Sequence, residues 1–131
     1  MDTPTLHQAA PFAAELGAEV LSASPEEVRL RLAWSAERTT AGGAMHGGAL
    51  MSLADMAGAV CAYLNLPPGA SGTTTIESKT NFLRALRDGY VEAVATPLHA
   101  GRSTVVVDTE LRDADGRLVA RTTQTQAVLS G

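Results

Sequence analysis

The sequence predicts an α+β domain in which one antiparallel sheet of about six strands curls around a single long helix. Two observations carry that expectation. The stretch "AMHGGALMSLADMAGAVCAYLN", residues 44–65, is almost wholly apolar. Short strand-like runs flank it, two before and four after. One helix is thus left to fill one sheet. No repeat, linker or composition break divides the 131 residues, so a single domain over 1–131 is expected.

Taken in order, "TLHQAAPFAAELG" predicts a short helical lead-in ending near Gly17, and "AEVLSAS" a strand with a turn at "SPEE". In "EEVRLRLAW", Val28, Leu30, Leu32 and Trp34 fall on one face and Arg29 and Arg31 on the other, the period of a half-buried strand. "SAERTTAGGAM" is a polar, glycine-containing loop. The helix runs from about Gly47 to Leu64 and stops at "NLPPGASG", where paired prolines and a glycine forbid further turns. The four later strands lie in "TTTIESKTNFL", "YVEAVATPLH", "GRSTVVVDTELRD" and "RLVARTTQTQAVL". Asp88-Gly89 and "ADG" at Ala114 to Gly116 supply turn signals between them.

Aromatic residues make up only 4% of the chain, so the core must be built from Ala, Val, Leu and Met. A net charge of −4 provides no broad basic field, which argues against general nucleic-acid binding. One cysteine, Cys61, permits no intramolecular disulfide, in keeping with a reducing compartment. The N-terminus lacks a basic start followed by an apolar run, and His46, Asp55 and several glycines interrupt the apolar segment. Neither a signal peptide nor a membrane span is expected, and the location predicted is cytoplasmic. The three histidines are scattered and form no metal-ligand spacing, and GxSxG, GxxxxGK and GxGxxG are absent.

The helix itself is apolar nearly all round. A sheet of this length wraps only part of it, so a second copy of the chain is the simplest cover for the rest. Asp55 is the anomaly in this helix. It shares a stripe with Ser52, and on an ordinary amphipathic helix both would face water. Among Ala, Met, Leu and Gly neighbours that stripe would be one residue wide, and a buried, unpaired carboxylate costs several kcal/mol. "HGG" just ahead is a natural helix start, with glycines for tight entry and His46 as a polar N-terminal residue. A helix N-terminus also offers unpaired N–H groups and partial positive charge, which suit a developing oxyanion. Glycine at 47 would let a carbonyl approach the backbone closely.

This arrangement, with "MHGGALMSLADMAGAV", resembles the hotdog-fold acyl-CoA thioesterases, in particular the phenylacetate-pathway and 4-hydroxybenzoyl-CoA type branch. "GRST" and "DGRLVARTTQT" follow in the expected order. The resemblance covers nearly the whole chain. It implies hydrolysis of an acyl-CoA thioester, aryl or short to medium chain, at sites shared between subunits of a dimer that often pairs into a tetramer. No cofactor is implied beyond the coenzyme A of the substrate.

By the same resemblance, the acid nine positions after the histidine, here Asp55, is the nucleophile or general base. The Gly47 N–H polarises the carbonyl, His46 shapes the pocket and is a catalytic candidate for proton transfer, and Gly48 is a candidate for substrate binding. Thr75 matches a position where a hydroxyl holds the attacking water, although a β-favouring residue in a Thr-rich strand is the plain alternative. Family members commonly place Asn or Gln six residues before the histidine. This chain has Thr40, whose hydroxyl reaches less far. Arg84, Arg87 and Arg102 are the candidates for coenzyme A phosphates, with Gly101 and Ser103 beside the pantetheine arm. Taken singly, each arginine is an ordinary surface residue.

Spacing constrains these roles. Gly47 and Asp55 are eight residues apart, hence about 12 Å along a helix. If both roles hold, one thioester carbon must draw its acid and its oxyanion donor from different copies of the helix. The competing reading is a non-catalytic acyl-CoA sensor or binding module on the same fold.

Overall fold

The computed structural model describes residues 1–130. Helices α1 (Thr3–Ala9) and α2 (Pro11–Leu16) are followed by β1 (Glu19–Ala23), β2 (Val28–Ala33) and a 3₁₀ turn at Ala36–Arg38. Helix α3 (Gly47–Leu64) comes next, then β3 (Ala70–Phe82), β4 (Tyr90–Ala100), β5 (Thr104–Asp113) and β6 (Leu118–Ser130). The single helical lead-in expected from "TLHQAAPFAAELG" is broken in two. Pro11 disfavours helical geometry at the residue before it, and Ala10 sits at φ −133°, ψ 89°. Gly17 closes α2 in the left-handed region at φ 89°.

The strands form one antiparallel sheet in the order β1-β2-β4-β5-β6-β3. Helix α3 therefore carries the chain from β2 across the sheet face to the far edge, where β3 pairs only with β6. The inward residues of the central strands are short aliphatics: Val28, Leu30 and Leu32 on β2, Val91, Ala93 and Ala95 on β4, Val105 and Val107 on β5. They close on Leu53, Ala54, Ala57 and Cys61 of α3, all fully buried. This is the hotdog arrangement, a sheet wrapped around one helix, and it is built from the small side chains that composition required. Truncating Leu53 to Ala at the centre of that contact would cost about 2–5 kcal/mol. Trp34, expected on the β2 core face, lies one residue past the strand. It is half-buried, and its indole N–H donates to the Gly43 carbonyl at 3.1 Å.

Helix α3 corrects one expectation. By length and composition alone it reaches the range of a membrane span, with 18 residues and a mean hydropathy of 1.3. Half of the helix is buried inside the domain, which is the position of a core helix. Asp55 and the glycines therefore do not take the helix below that threshold.

Large apolar side chains stay exposed on α3 and around β3, and also at Phe12, Leu21 and Leu98. Tyr63 and Met51 of α3 are exposed, as are Ile76 and Phe82 of β3 and the adjoining Leu83. The outer edge of β3 is unpaired over 13 residues, a long free edge for a sheet.

Candidate active site

Asp55 lies two turns into α3 and is half-buried, on the side of the helix facing β3 and β6. Its Oδ1 accepts two hydrogen bonds, from Thr75 Oγ1 at 2.8 Å and from Gln124 Nε2 at 3.1 Å. Thr75 is held in turn by Gln126, whose Nε2 donates to Oγ1 at 2.6 Å, and Thr73 Oγ1 lies 3.1 Å from Gln126 Oε1. The β3–β6 register explains the meeting. Thr75 pairs directly with Gln126, and the register shifts between Thr75 and Glu77, leaving Ile76 as the extra, exposed residue of a bulge. Bulges re-aim the side chains beside them.

The other carboxylate oxygen, Oδ2, takes no hydrogen bond among the described residues. Asp55 also borders a largely apolar cavity of about 760 Å³ between α1, α3 and the start of β3. Leu6, Phe12, Met56, Val60 and Tyr63 are among the residues that line it. The arrangement is one carboxylate, fixed by one oxygen, at the border of a greasy space.

At the N-terminus of α3 the two glycines differ. The Gly48 N–H is donated to His46 Nδ1 at 2.8 Å, so His46 caps the helix. That bond makes Nδ1 an acceptor and places the ring proton of a neutral imidazole on Nε2. The Gly47 N–H has no acceptor among the described residues, so of the pair it is the donor left for a ligand. A Cβ at Gly47 would stand 3.1 Å from the Phe82 ring, so the glycine keeps the backbone open beneath that half-exposed aromatic. His46 lines a separate cavity of about 540 Å³ with Phe12, Glu15, Arg38 and Ser52. Strand β3 runs antiparallel to the helix, with Thr75 beside Asp55 and Phe82 beside Gly47.

Of the remaining candidates, Arg84 lines a cavity of about 330 Å³ with Gly47 and Phe82, and the others do not gather with it within one chain. Thr40 is exposed in the loop before α3, where its backbone closes a turn with Gly43 and Ala44. Arg84 is exposed just past β3, and its backbone N–H bonds to Val119 at the start of β6. Arg87 is exposed three residues on, near Asp88, Asp113 and Arg117. Arg102 and Ser103 sit at the opposite end of the sheet, where the Ser103 carbonyl accepts from the Val128 N–H. Nine residues of β6 separate the two ends, about 30 Å. A Cβ at Gly101 would displace the His99 ring and stand 3.2 Å from the Thr104 carbonyl oxygen, and the Gly101 N–H is already donated to that carbonyl. No group of three or more His, Cys, Asp or Glu able to hold a metal occurs among the described residues.

Gln124 and Gln126 escaped the sequence reading. Both are fully buried on the inner face of β6, where an all-apolar pattern would have marked the inward side. In "TTQTQ" every position is polar, so alternation hides which face is buried. Two glutamines at i and i+2, opposite a helix carrying a lone acid, are the signal that could have exposed them.

Comparison with known proteins places this chain in a family. A model of the thioesterase superfamily matches residues 42–120, more than half of the chain and all of the α3–β3 region. The chain belongs to the thioesterase superfamily. A curated relative, 1,4-dihydroxy-2-naphthoyl-CoA hydrolase of Escherichia coli, is 37% identical over 87 residues, covering 66% of this chain and 63% of that protein. A second relative, from Vibrio cholerae, is 40% identical over 86 residues, 66% of this chain and 57% of its own length. The chain thus spans under two thirds of both. Among solved structures, a Q49A mutant of thioesterase PA1618 from Pseudomonas aeruginosa superimposes with a TM-score of 0.90 at 29% identity, covering 98% of this chain and 94% of that one. The Escherichia coli PaaI protein of the phenylacetic acid degradation operon shares the fold, with a TM-score of 0.87 at 24% identity over 98% and 91% of the two chains.

Proposed function

We propose that this protein hydrolyses an acyl-CoA thioester to the free acid and coenzyme A. The observation that carries the reading is Asp55, held by Oδ1 and free at Oδ2 beside an apolar cavity. Family membership and the CoA-thioester hydrolase named among the relatives support the same chemistry. The apolar walls suit an aryl or short to medium aliphatic acyl group. Coenzyme A enters as part of the substrate, and no further cofactor takes part.

Asp55 acts as nucleophile or as general base. In the general-base route it takes a proton from water while the water oxygen bonds the thioester carbon. The carbonyl electrons move onto oxygen, which accepts the Gly47 N–H at a helix N-terminus. Collapse of the tetrahedral species breaks the C–S bond, and the sulfur leaves as coenzyme A thiol with the proton returned from Asp55. In the nucleophilic route an Asp55 oxygen bonds the carbon, the C–S bond breaks and coenzyme A leaves as a thiolate that takes a proton from solvent. Water then opens the anhydride, releasing the free acid and restoring the Asp55 carboxylate.

Gly47 and Asp55 stand about 12 Å apart on one α3, so the two groups that serve one thioester come from two chains. The free edge of β3 supports that assembly. A second copy laid antiparallel along it sets the Gly47 end of one chain toward the Asp55 region of the other. It would also cover the exposed Ile76 and Phe82 and bring the separated arginine groups of two chains nearer to each other. The functional unit is a homodimer or a pair of dimers, acting in the cytoplasm.

A panel of aryl and aliphatic CoA thioesters, with release of free thiol followed over time, tests the reading. Steady turnover of at least one member is expected. Tight binding without release of thiol would overturn it in favour of an acyl-CoA binding module, which has little use for a carboxylate beside the thioester.

A further inference from the structure

The buried amide of Gln124 has an imbalance that packing does not explain. Its side chain is fully buried between β6 and α3, yet only Nε2 is satisfied, by Asp55 Oδ1. Its Oε1 has no hydrogen-bond partner among the described residues. A buried, unpaired carbonyl is unfavourable, and Met or Leu would fill the same space without one. The helix makes room for this amide at a specific point. A Cβ on Gly58 would lie 2.0 Å from Gln124 Oε1 and 2.3 Å from its Cδ, so Gly58 is what lets the side chain lie flat against α3. The orientation of the amide is also fixed, because a carboxylate oxygen can only accept and must face the NH₂ end.

On the β3 side the relay has one sense. Gln126 Nε2 donates to Thr75 Oγ1, so the single hydroxyl proton of Thr75 is directed to Asp55. Two donors from two strands therefore converge on one oxygen of Asp55. Two fixed donors on Oδ1 stop the carboxylate from rotating about its Cβ–Cγ bond and keep the same oxygen, Oδ2, turned away from the strands.

We infer that Gln124 is a positioning residue for the hydrolytic reaction. With Thr75 it pins Asp55 by Oδ1 and presents Oδ2 as the oxygen that attacks the thioester or takes the proton from water. Gly58 is the third part of the device, since any larger residue there displaces the amide. The inference rests on the thioesterase reading of Asp55, and it adds a named role for two residues on two elements.

The test combines kinetics with a signal independent of turnover. Gln124→Met keeps the volume and removes the donor. It should lower kcat roughly 10-fold or more, as expected for losing one hydrogen bond to a charged group, with KM changed less than about twofold. In an Asp55→Asn background, measured under single turnover with enzyme in excess, adding Gln124→Met should have no further effect, because Gln124 acts through Asp55. The Asp55 carboxylate stretch, isolated as the wild-type minus Asp55→Asn infrared difference, should shift in Gln124→Met. Gly58→Ala, which pushes the amide aside, should reproduce both the kcat loss and the band shift, and it decides the matter if Gln124→Met fails to fold. An unshifted band overturns the inference whether or not the protein hydrolyses thioesters. So does an equal loss in the presence and absence of Asp55. Failure of the wild type to turn over any thioester, with the band shift intact, refutes the proposed function instead and leaves Gln124 as the residue that orients Asp55.

Discussion

Thr75 and Asp55 meet across the helix–strand interface, with the Thr75 hydroxyl donating to Asp55 Oδ1 at 2.8 Å. The contact joins the edge strand to the middle of the central helix, and it sets what each residue can do. Because the Thr75 proton is directed to Asp55 and Gln126 donates to the Thr75 oxygen, a water at Thr75 must be held as a donor to its remaining lone pair. In the ground state Thr75 is first of all a partner of the carboxylate.

Asp55→Asn removes the charge and almost nothing else. The Asn carbonyl can still accept from Thr75 and Gln124, so the fold and its melting temperature should stay near wild type. General-base catalysis alone contributes about 10²–10⁴, so kcat should fall roughly 100-fold or more. Near-normal turnover of the Asn variant on the best thioester of the panel would remove Asp55 from the chemistry.

The elements that were legible in the sequence share a physical cause. The α3 limits, Gly47 and Leu64, are set by the glycine pair and by the prolines that follow, and such local signals survive folding. In β2 the alternation of Val28, Leu30 and Leu32 with arginines reports one dry face and one wet one, and the structure buries those three completely. The lead-in is helical and ends at Gly17 as its residues imply, and the break within it comes from Pro11, whose effect on Ala10 outweighs the helical character of its neighbours. The acid and the glycine stood out as anomalies within a single element. Gln124 could not stand out, because its meaning depends on the β3–β6 register and on a gap at Gly58, both of which are long-range. The arginine set comes from the family resemblance, and the sheet places Arg84 and Arg102 at its opposite ends, a separation that only the β3–β6 and β5–β6 pairing reveals.

Cys61 should behave as an inert core residue. It is fully buried on α3, and that burial pushes its thiol up to about 11. The shift disfavours the thiolate, so at pH 8 only roughly one thiol in a thousand is ionised, and access is blocked besides. Alkylation with iodoacetamide at pH 8 should modify the native protein hardly at all and the urea-unfolded protein rapidly and stoichiometrically. Rapid labelling of the native protein without loss of structure would show that α3 is not packed as described.

Assembly should be visible in solution. Tyr63 is 57% exposed, Ile76 63% and Phe82 50%, along α3 and an unpaired 13-residue edge strand, more apolar surface and free edge than a stable monomer usually leaves. Sedimentation at micromolar concentration should give a dimer or tetramer. Ile76→Lys, at the exposed bulge of β3, should shift the distribution toward monomer and lower activity in parallel. An active wild-type monomer would refute both the covering argument and the shared site.

The proposed division of one site between two chains predicts rescue. Asp55→Asn lacks the acid, and Gly47→Val sets a branched side chain against Phe82, where even a Cβ would lie 3.1 Å from the ring, and blocks the carbonyl's approach to the free N–H. Each variant alone should be nearly inactive. In a mixed dimer one site collects both lesions and the other has neither, because Gly47 of one chain serves Asp55 of its partner. Random exchange at equal amounts makes about half the dimers mixed, each with one intact site. Activity should recover to roughly a quarter of wild type when the two sites work independently and both variants fold, which circular dichroism of the parents verifies. Subunit exchange can be followed separately by carrying a distinct mass tag on each variant. If the tagged chains mix and the mixture stays as inactive as its parents, the acid and the oxyanion donor belong to the same chain and the cross-subunit mechanism is wrong.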